Sequence, residues 1–181
     1  MQRVLEPEVM DSWEEAVDYD AMDFLKVNTA FAQRVSELCP QDVAKVLDAG
    51  TGTARIPIIL CQMRSQWQVW GIDLAENMLK VGSENVEKAG LQDKIMLEVV
   101  DAKQLPYQEG QFDMFVSNSL VHHLPNPLPF FVELKRVLKP HGAICIRDLL
   151  RPADEATMNR LVESIGVEYN EHQKKLFRDS V

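Results

Sequence analysis

The chain has 181 residues, 46% of them hydrophobic, and 28 acidic against 19 basic side chains leave a net charge of −9. That is enough apolar material for one packed domain, while the absence of any basic run longer than Lys174-Lys175 excludes a sequence-independent grip on DNA or RNA, which needs clustered cations on phosphates. Cys39, Cys61 and Cys145 are scattered and odd in number, which excludes a disulfide framework and a zinc site, and no apolar stretch approaches the roughly 20 residues of a membrane span.

The first residues, to about Asp18, are acidic, carry no strong pattern and lack the basic-then-apolar order of a signal peptide. A soluble protein of the reducing cytoplasm is therefore expected. From Tyr19 to Leu38 the apolar residues Phe24, Val27, Phe31, Val35 and Leu38 recur at helical spacing and predict one helix, ended by Cys39-Pro40. Strands are predicted near 43–48, 68–73, 95–100, 112–117 and 142–148, alternating with helices. Trp70, inside the second of them, is expected in the core. Such alternation means α/β: a Rossmann-like, mostly parallel sheet with right-handed crossovers and helices on both faces. The organisation reads as a helical cap over 1–40, an α/β core over 41–151 and a helical segment over 152–181, all within one domain.

The most informative stretch is VLDAGTGTARIPI, from Val46 to Ile58. A buried strand ends in an acid, Asp48; a bend follows at Gly50 and Gly52; a helix then opens around Ala54 to Pro57. A strand turning tightly into a helix brings backbone N–H groups and a helix N-terminus to the carboxyl end of the sheet, where α/β folds bind ligands. A second acid, Asp73, ends the next apolar run, where a carboxylate suits two ribose hydroxyls. The pair implies a nucleoside-bearing ligand. In the loop Gly50-Thr51-Gly52-Thr53-Ala54-Arg55, Arg55 stands where a dinucleotide fingerprint has its third glycine. A carboxylate at Asp48 would repel a pyrophosphate and attract an ammonium, which favours S-adenosylmethionine over NAD. Downstream, a strand-like run ends in Asp101-Ala102, suited to an adenine, and another ends at Ser117-Asn118.

On these motifs the chain resembles the class I S-adenosylmethionine-dependent methyltransferases, within the small-molecule branch that includes the ubiquinone/menaquinone-biosynthesis type. The resemblance covers roughly Tyr19 to Arg151. It implies that Asp48 and the Gly50–Gly52 loop hold the methionine moiety and Asp73 the ribose. Leu74 would lie beside the adenine, Asp101 and Ala102 would flank it, and Asn118 would border the methyl group. Tyr19 would cover the cofactor from the first helix. Residue by residue, Asp48 also reads as an acid tying down its own loop, and Tyr19 as core packing. Arg55 reads as a surface salt bridge.

His122-His123 follows the expected methyl-transfer position and offers a catalytic base, although adjacent histidines on a loop point in different directions and no Asp, Glu or Cys partner stands at ligand spacing. A structural or gating role is the other reading, and no metal is expected. After Pro152 a helix is predicted to about Ile165 and another from Asn170 to Arg178. The family's usual last strands have no counterpart, so a truncated chain, a naturally short one and a homodimer covering the fifth strand all stay open. The expected activity is methyl transfer to a small-molecule acceptor. The alternatives are a non-catalytic S-adenosylmethionine-binding module and an NAD-dependent oxidoreductase. The last lacks support from any Tyr-x-x-x-Lys pair, because Tyr19, Tyr107 and Tyr169 are followed at that spacing by Asp23, Gln111 and Gln173.

Overall fold

The computed structural model describes residues 12–150, 152–165, 174 and 178. They divide into two units, the larger described over 12–118 and 126–147, the smaller over 119–125 and from 148 onward.

The larger unit opens with two helices in place of the single one expected. Helix α1, Trp13–Asp20, begins at a capping box: the Ser12 hydroxyl accepts from Glu15 N–H at 3.1 Å, and Glu15 Oε2 accepts from Ser12 N–H at 3.4 Å. The chain then breaks at Ala21–Phe24, where Asp23 Oδ1 accepts the N–H of Leu25 at 3.1 Å and starts α2, Leu25–Leu38. The apolar period is real, but it belongs to α2, which buries Phe31, Ala32 and Val35.

Five strands follow: β1 (Lys45–Ala49), β2 (Gln68–Asp73), β3 (Ile95–Val99), β4 (Phe112–Asn118) and β5 (Leu138–Arg147). All described pairs are parallel, in the order β3-β2-β1-β4-β5. Helices α3 (Arg55–Met63), α4 (Glu76–Ala89) and α5 (Leu128–Val137) make three of the crossovers. The chain passes from β3 back to β4 on the far side of β1, so the strand order reverses between β1 and β4. Their carboxyl ends, Ala49 beside Ser117, mark the switch point where such sheets bind ligands. The fifth strand starts earlier than expected because Leu138 already pairs with Phe112. A register shift then absorbs Lys139–Gly142, with His141 at φ +65°.

The central strands are buried on both faces, as parallel sheets require. On one face Val46, Val69, Ile95, Met114 and Val116 pack with Phe31, Val35, Ile58 and Leu60 from the helices. The opposite face carries Phe115, whose ring meets Phe130 of α5 edge-on at 5.5 Å. Trp70 is only half-buried, with its ring against Phe112. The fully buried tryptophan is Trp67, whose indole N–H donates to Gln41 O at 2.9 Å.

Among its described residues the smaller unit holds a 3₁₀ turn, Val121–His123, and α6, Glu155–Ile165, whose first turn is capped by Asp154 accepting from Thr157 N–H at 2.7 Å. The helix expected over Asn170–Arg178 lies outside the described residues apart from Lys174 and Arg178. No helix of the described residues is long and apolar enough to cross a membrane.

Candidate functional site

The β1–α3 loop is held by its own hydrogen bonds. Gly50 N–H and Thr51 N–H both donate to Ile72 O, at 2.9 and 3.0 Å, and Gly52 N–H donates to Asp73 Oδ2 at 2.9 Å. Gly50 and Gly52 take positive φ, 75° and 54°, which glycine adopts without a Cβ penalty; Ala54 takes 62° as the residue that opens α3. The bend was expected to offer its N–H groups to a ligand. These three are instead spent on β2, so the loop is not the amide nest that a pyrophosphate requires.

Asp48 lies beneath the loop, 1% exposed, and accepts the Thr51 hydroxyl at 2.8 Å. Burial pushes its carboxyl up to about 7, the Thr51 hydrogen bond opposes the rise, and the nearby Asp73 charge adds to it. Thr51 reaches it across Gly71 of β2, where a Cβ would stand 2.7 Å from Thr51 Oγ1 and 2.8 Å from Leu97. Gly71 is thus a positioning residue with no visible sequence signal beyond an isolated glycine in a strand. Asp73, at the end of β2, takes Ala75 N–H on Oδ1 at 3.0 Å as well as Gly52 N–H on Oδ2. Burial raises its pKa, against the bonds from Ala75 and Gly52. Each of its oxygens keeps a lone pair for a further donor.

Tyr19 and Phe24, rings 5.5 Å apart, stand over this loop; a Cβ on Gly52 would lie 3.9 Å from the Tyr19 ring. Helix α1 is fastened there by Asp20, which takes Arg55 Nε and Nη2 at 2.8 and 2.6 Å and Asn85 Nδ2 at 2.9 Å. The surface salt bridge expected of Arg55 is therefore a two-pronged clamp on α1. A cleft of about 400 Å³ opens between these elements, lined among others by Tyr19, Gly50, Gly52, Arg55 and Asn118.

The fold thus brings Tyr19, Gly50, Gly52 and Asn118 to one cleft, with Asp73 bonded to its loop and Asp48 below. Leu74, half-buried, follows Asp73 directly. Asp101 and Ala102 do not line the cleft. They come after Val100, whose N–H donates to Asp73 O at 3.1 Å, which keeps them at the same end of the sheet. Asp101 accepts Lys103 N–H at 2.8 Å and pairs with its ammonium at 3.0 Å, while Ala102 is buried. Asn118 Oδ1 accepts from Arg147 Nε at 2.7 Å across the β4–β5 register. Arg147 was not singled out in the sequence, since nothing local links it to a residue so far upstream.

In the smaller unit, the two histidines do not diverge: their rings lie 4.0 Å apart, tilted by 38°. His122 also has the carboxylate partner that local spacing hid. Its Nδ1 is 2.6 Å from Asp148 Oδ1, and Asp148 takes Val121 N–H at 2.6 Å and Leu149 N–H at 2.7 Å. Burial works to raise the Asp148 pKa, but the hydrogen bonds from His122, Leu149 and Val121 prevail and hold it low. Among the described residues no group of three or more His, Cys, Asp or Glu side chains is placed to hold a metal ion.

The site is thus an open parallel sheet with a self-braced glycine loop and an acid near the carboxyl end of each of its first two strands, Asp48 in β1 and Asp73 in β2. The family profile described as "Methyltransferase domain" matches residues 40–178. Methyltransferase GfsG of Streptomyces halstedii is 31% identical over 106 residues, 59% of this chain and 38% of that protein. A demethylmenaquinone methyltransferase of Bacillus mycoides is 31% identical over 158 residues, 84% of this chain and 66% of that one. The crystal structure of a SAM-dependent methyltransferase from Aquifex aeolicus superposes with a TM-score of 0.65 at 25% identity, covering 88% of this chain and 90% of that one. The chain belongs to the class I S-adenosylmethionine-dependent methyltransferase family. It spans about half the length, or less, of several curated relatives it matches, 38%, 49% and 48% of three of them.

Proposed function

We propose that this chain transfers a methyl group from S-adenosylmethionine to a small-molecule acceptor. The observation that carries the reading is the loop's bonding. The amides of Gly50, Thr51 and Gly52 are committed to Ile72 and Asp73, and two carboxylates stand at the loop's base, which disfavours a phosphate-bearing cofactor and favours a cationic one. The donor set fits the group: Asp73 has lone pairs left for ribose hydroxyls, and the bare backbone at Gly50 and Gly52 admits a close approach.

When bound, the cofactor supplies a methyl group on a sulfonium, already a good leaving group. Asp73 would hold the ribose, and Leu74, Asp101 and Ala102 would border the adenine at the same end of the sheet. The Gly50–Gly52 loop would seat the methionine part, with Asp48 favouring its ammonium. Tyr19 would cover the site and exclude water, and Asn118 would border the methyl group. Orientation of this kind can supply about 7–11 kcal/mol of the barrier.

A protonated nucleophile also needs a base, and His122 takes that role with His123 packed against it. With Asp148 ionised, a neutral His122 keeps its proton on Nδ1, which makes Nε2 the basic nitrogen. The relatives named for methylating demethylmenaquinone and 27-O-demethylrifamycin SV support a small organic acceptor. Free thiols at Cys39, Cys61 and Cys145 accord with work in the reducing cytoplasm. A homodimer paired across β5, the edge strand of the described sheet, is decided by sedimentation of the purified chain.

Calorimetric titration with S-adenosylhomocysteine, with NAD as control, tests the reading. Binding of the first alone at micromolar concentration is expected. Binding of NAD, or of neither, overturns it.

A further inference from the structure

Arg147, at the end of β5, is a half-buried cation with no carboxylate partner among the described residues. Its Nε donates to Asn118 Oδ1 at 2.7 Å, its Nη1 donates to Val27 O at 3.1 Å, and its guanidinium lies over the Phe31 ring, 4.7 Å from the centroid. Every one of these partners is formally neutral. Among the described residues no Asp or Glu pairs with it, and Nη2 carries no hydrogen bond. Arg55, which lines the cleft, differs in this respect, because Asp20 pairs with it. Burial also holds the Arg147 pKa below the usual guanidinium value.

A cation partly withdrawn from water and met only by neutral groups keeps much of its capacity to bind an anion. The placement is also directional. Guanidinium has donors only, so the Asn118 atom facing it must be the carbonyl oxygen, and the Nδ2 amide is the end left for other partners. Asn118 lines the cleft, as do Leu25 and Asn28 on either side of Val27. The charge of Arg147 also acts on Tyr19, lowering a phenol pKa that burial and Asp73 raise. The Nη2 edge of Arg147 and the amide of Asn118, which lines the cleft, therefore form a donor set on the opposite side of β1 from Asp73.

We infer that Arg147 and Asn118 form a subsite for an anionic oxygen, and that the methyl acceptor carries a carboxylate or an ionised hydroxyl which docks there. Naming that ligand the acceptor rests on the methyl-transfer reading; the anion site itself does not. Arg suits the task because its planar fork meets two oxygens at once.

The test follows the Arg147 Nε–H resonance by NMR, assigned by its loss in Arg147→Lys, during titration of the full chain with benzoate and with benzamide as a neutral analogue. Benzoate is expected to move the signal saturably, and benzamide to move it less than a tenth as far. Asn118→Asp supplies Arg147 with an internal carboxylate and should weaken benzoate at least tenfold with the thermal midpoint retained. No response to benzoate, an equal response to benzamide, or undiminished binding in Asn118→Asp overturns the subsite. The same titration on protein saturated with S-adenosylhomocysteine separates the sources: a persisting benzoate response supports the acceptor, and its abolition assigns the anion to the cofactor and overturns the acceptor assignment. Benzoate binding in a chain that ignores S-adenosylhomocysteine leaves the anion subsite standing and removes the methyl-transfer reading.

Discussion

Gly52 N–H donates to Asp73 Oδ2 at 2.9 Å, so the acid that ends β2 also braces the loop that ends β1. Removing that carboxylate has two consequences of different kinds. Asp73→Ala is expected to weaken S-adenosylhomocysteine by at least about tenfold, since charge-assisted hydrogen bonds contribute about 1.5–3 kcal/mol each. It should also speed hydrogen exchange at the Gly52 amide in the ligand-free protein. Unchanged affinity in a folded variant would defeat the ribose assignment. Unchanged exchange would mean that the loop is braced by Ile72 alone.

Asp48 gives a pH signature. Its folded pKa, about 7, lies above the ordinary carboxylate value, so the native state holds a proton that the unfolded chain releases. The corresponding stability is fully present below about pH 4 and is lost as pH rises through 7. Asp48→Asn mimics the protonated form, so its thermal midpoint should exceed the wild-type value at pH 8 and converge with it at low pH. A midpoint difference that does not vary with pH would refute this.

The pairing of His122 with Asp148 predicts a split between two variants. His122→Gln should lower kcat for an acceptor that must lose a proton by about 100-fold or more, the usual contribution of a positioned base. Acceptors that arrive deprotonated should be spared. Asp148→Asn, which exchanges a pure acceptor for an amide, should act in the same direction by mis-setting the imidazole tautomer. Equal losses on both acceptor types would point to a structural role for the turn.

The Asp20–Arg55 clamp is open to a double-mutant cycle. Its guanidinium is half exposed, so a coupling of about 1 kcal/mol is expected, the upper end for such a pair. Arg55→Met should also raise the Tyr19 side chain's mobility, read by fluorine NMR of fluorotyrosine-labelled protein. Trp67→Ala, by contrast, removes a fully buried ring and the bond to Gln41, and should cost roughly 3–5 kcal/mol in chemical denaturation.

Much of this fold is legible in the sequence because its strands are buried runs with sharp ends. The pattern around Val46–Asp48 and Val69–Asp73 has no helical competitor, and the acids and glycines that close those runs mark the site. The break between α1 and α2 was hidden by an apolar period that dominates the window, although Ser12 and Glu15 stand at capping-box spacing. Trp70, expected in the core, is half-buried while Trp67 is the fully buried ring, because burial there depends on what covers a strand's start: Arg64 lies over the Trp67 ring and the Gln41 carbonyl takes its indole N–H. Asp148 and Arg147 were missed for one physical reason. They act across a parallel pairing or a returning chain, and a residue's partner at that distance leaves no trace in local periodicity.

The loop beneath Tyr19 enters any encounter already in its final shape, since Gly50, Thr51 and Gly52 have settled their bonds with β2. An incoming nucleoside therefore meets a stiff mould, and little ordering entropy remains to be lost on that side of the site. Selection among ligands falls to steric fit and charge, and a spent cofactor can depart without the backbone having to recoil.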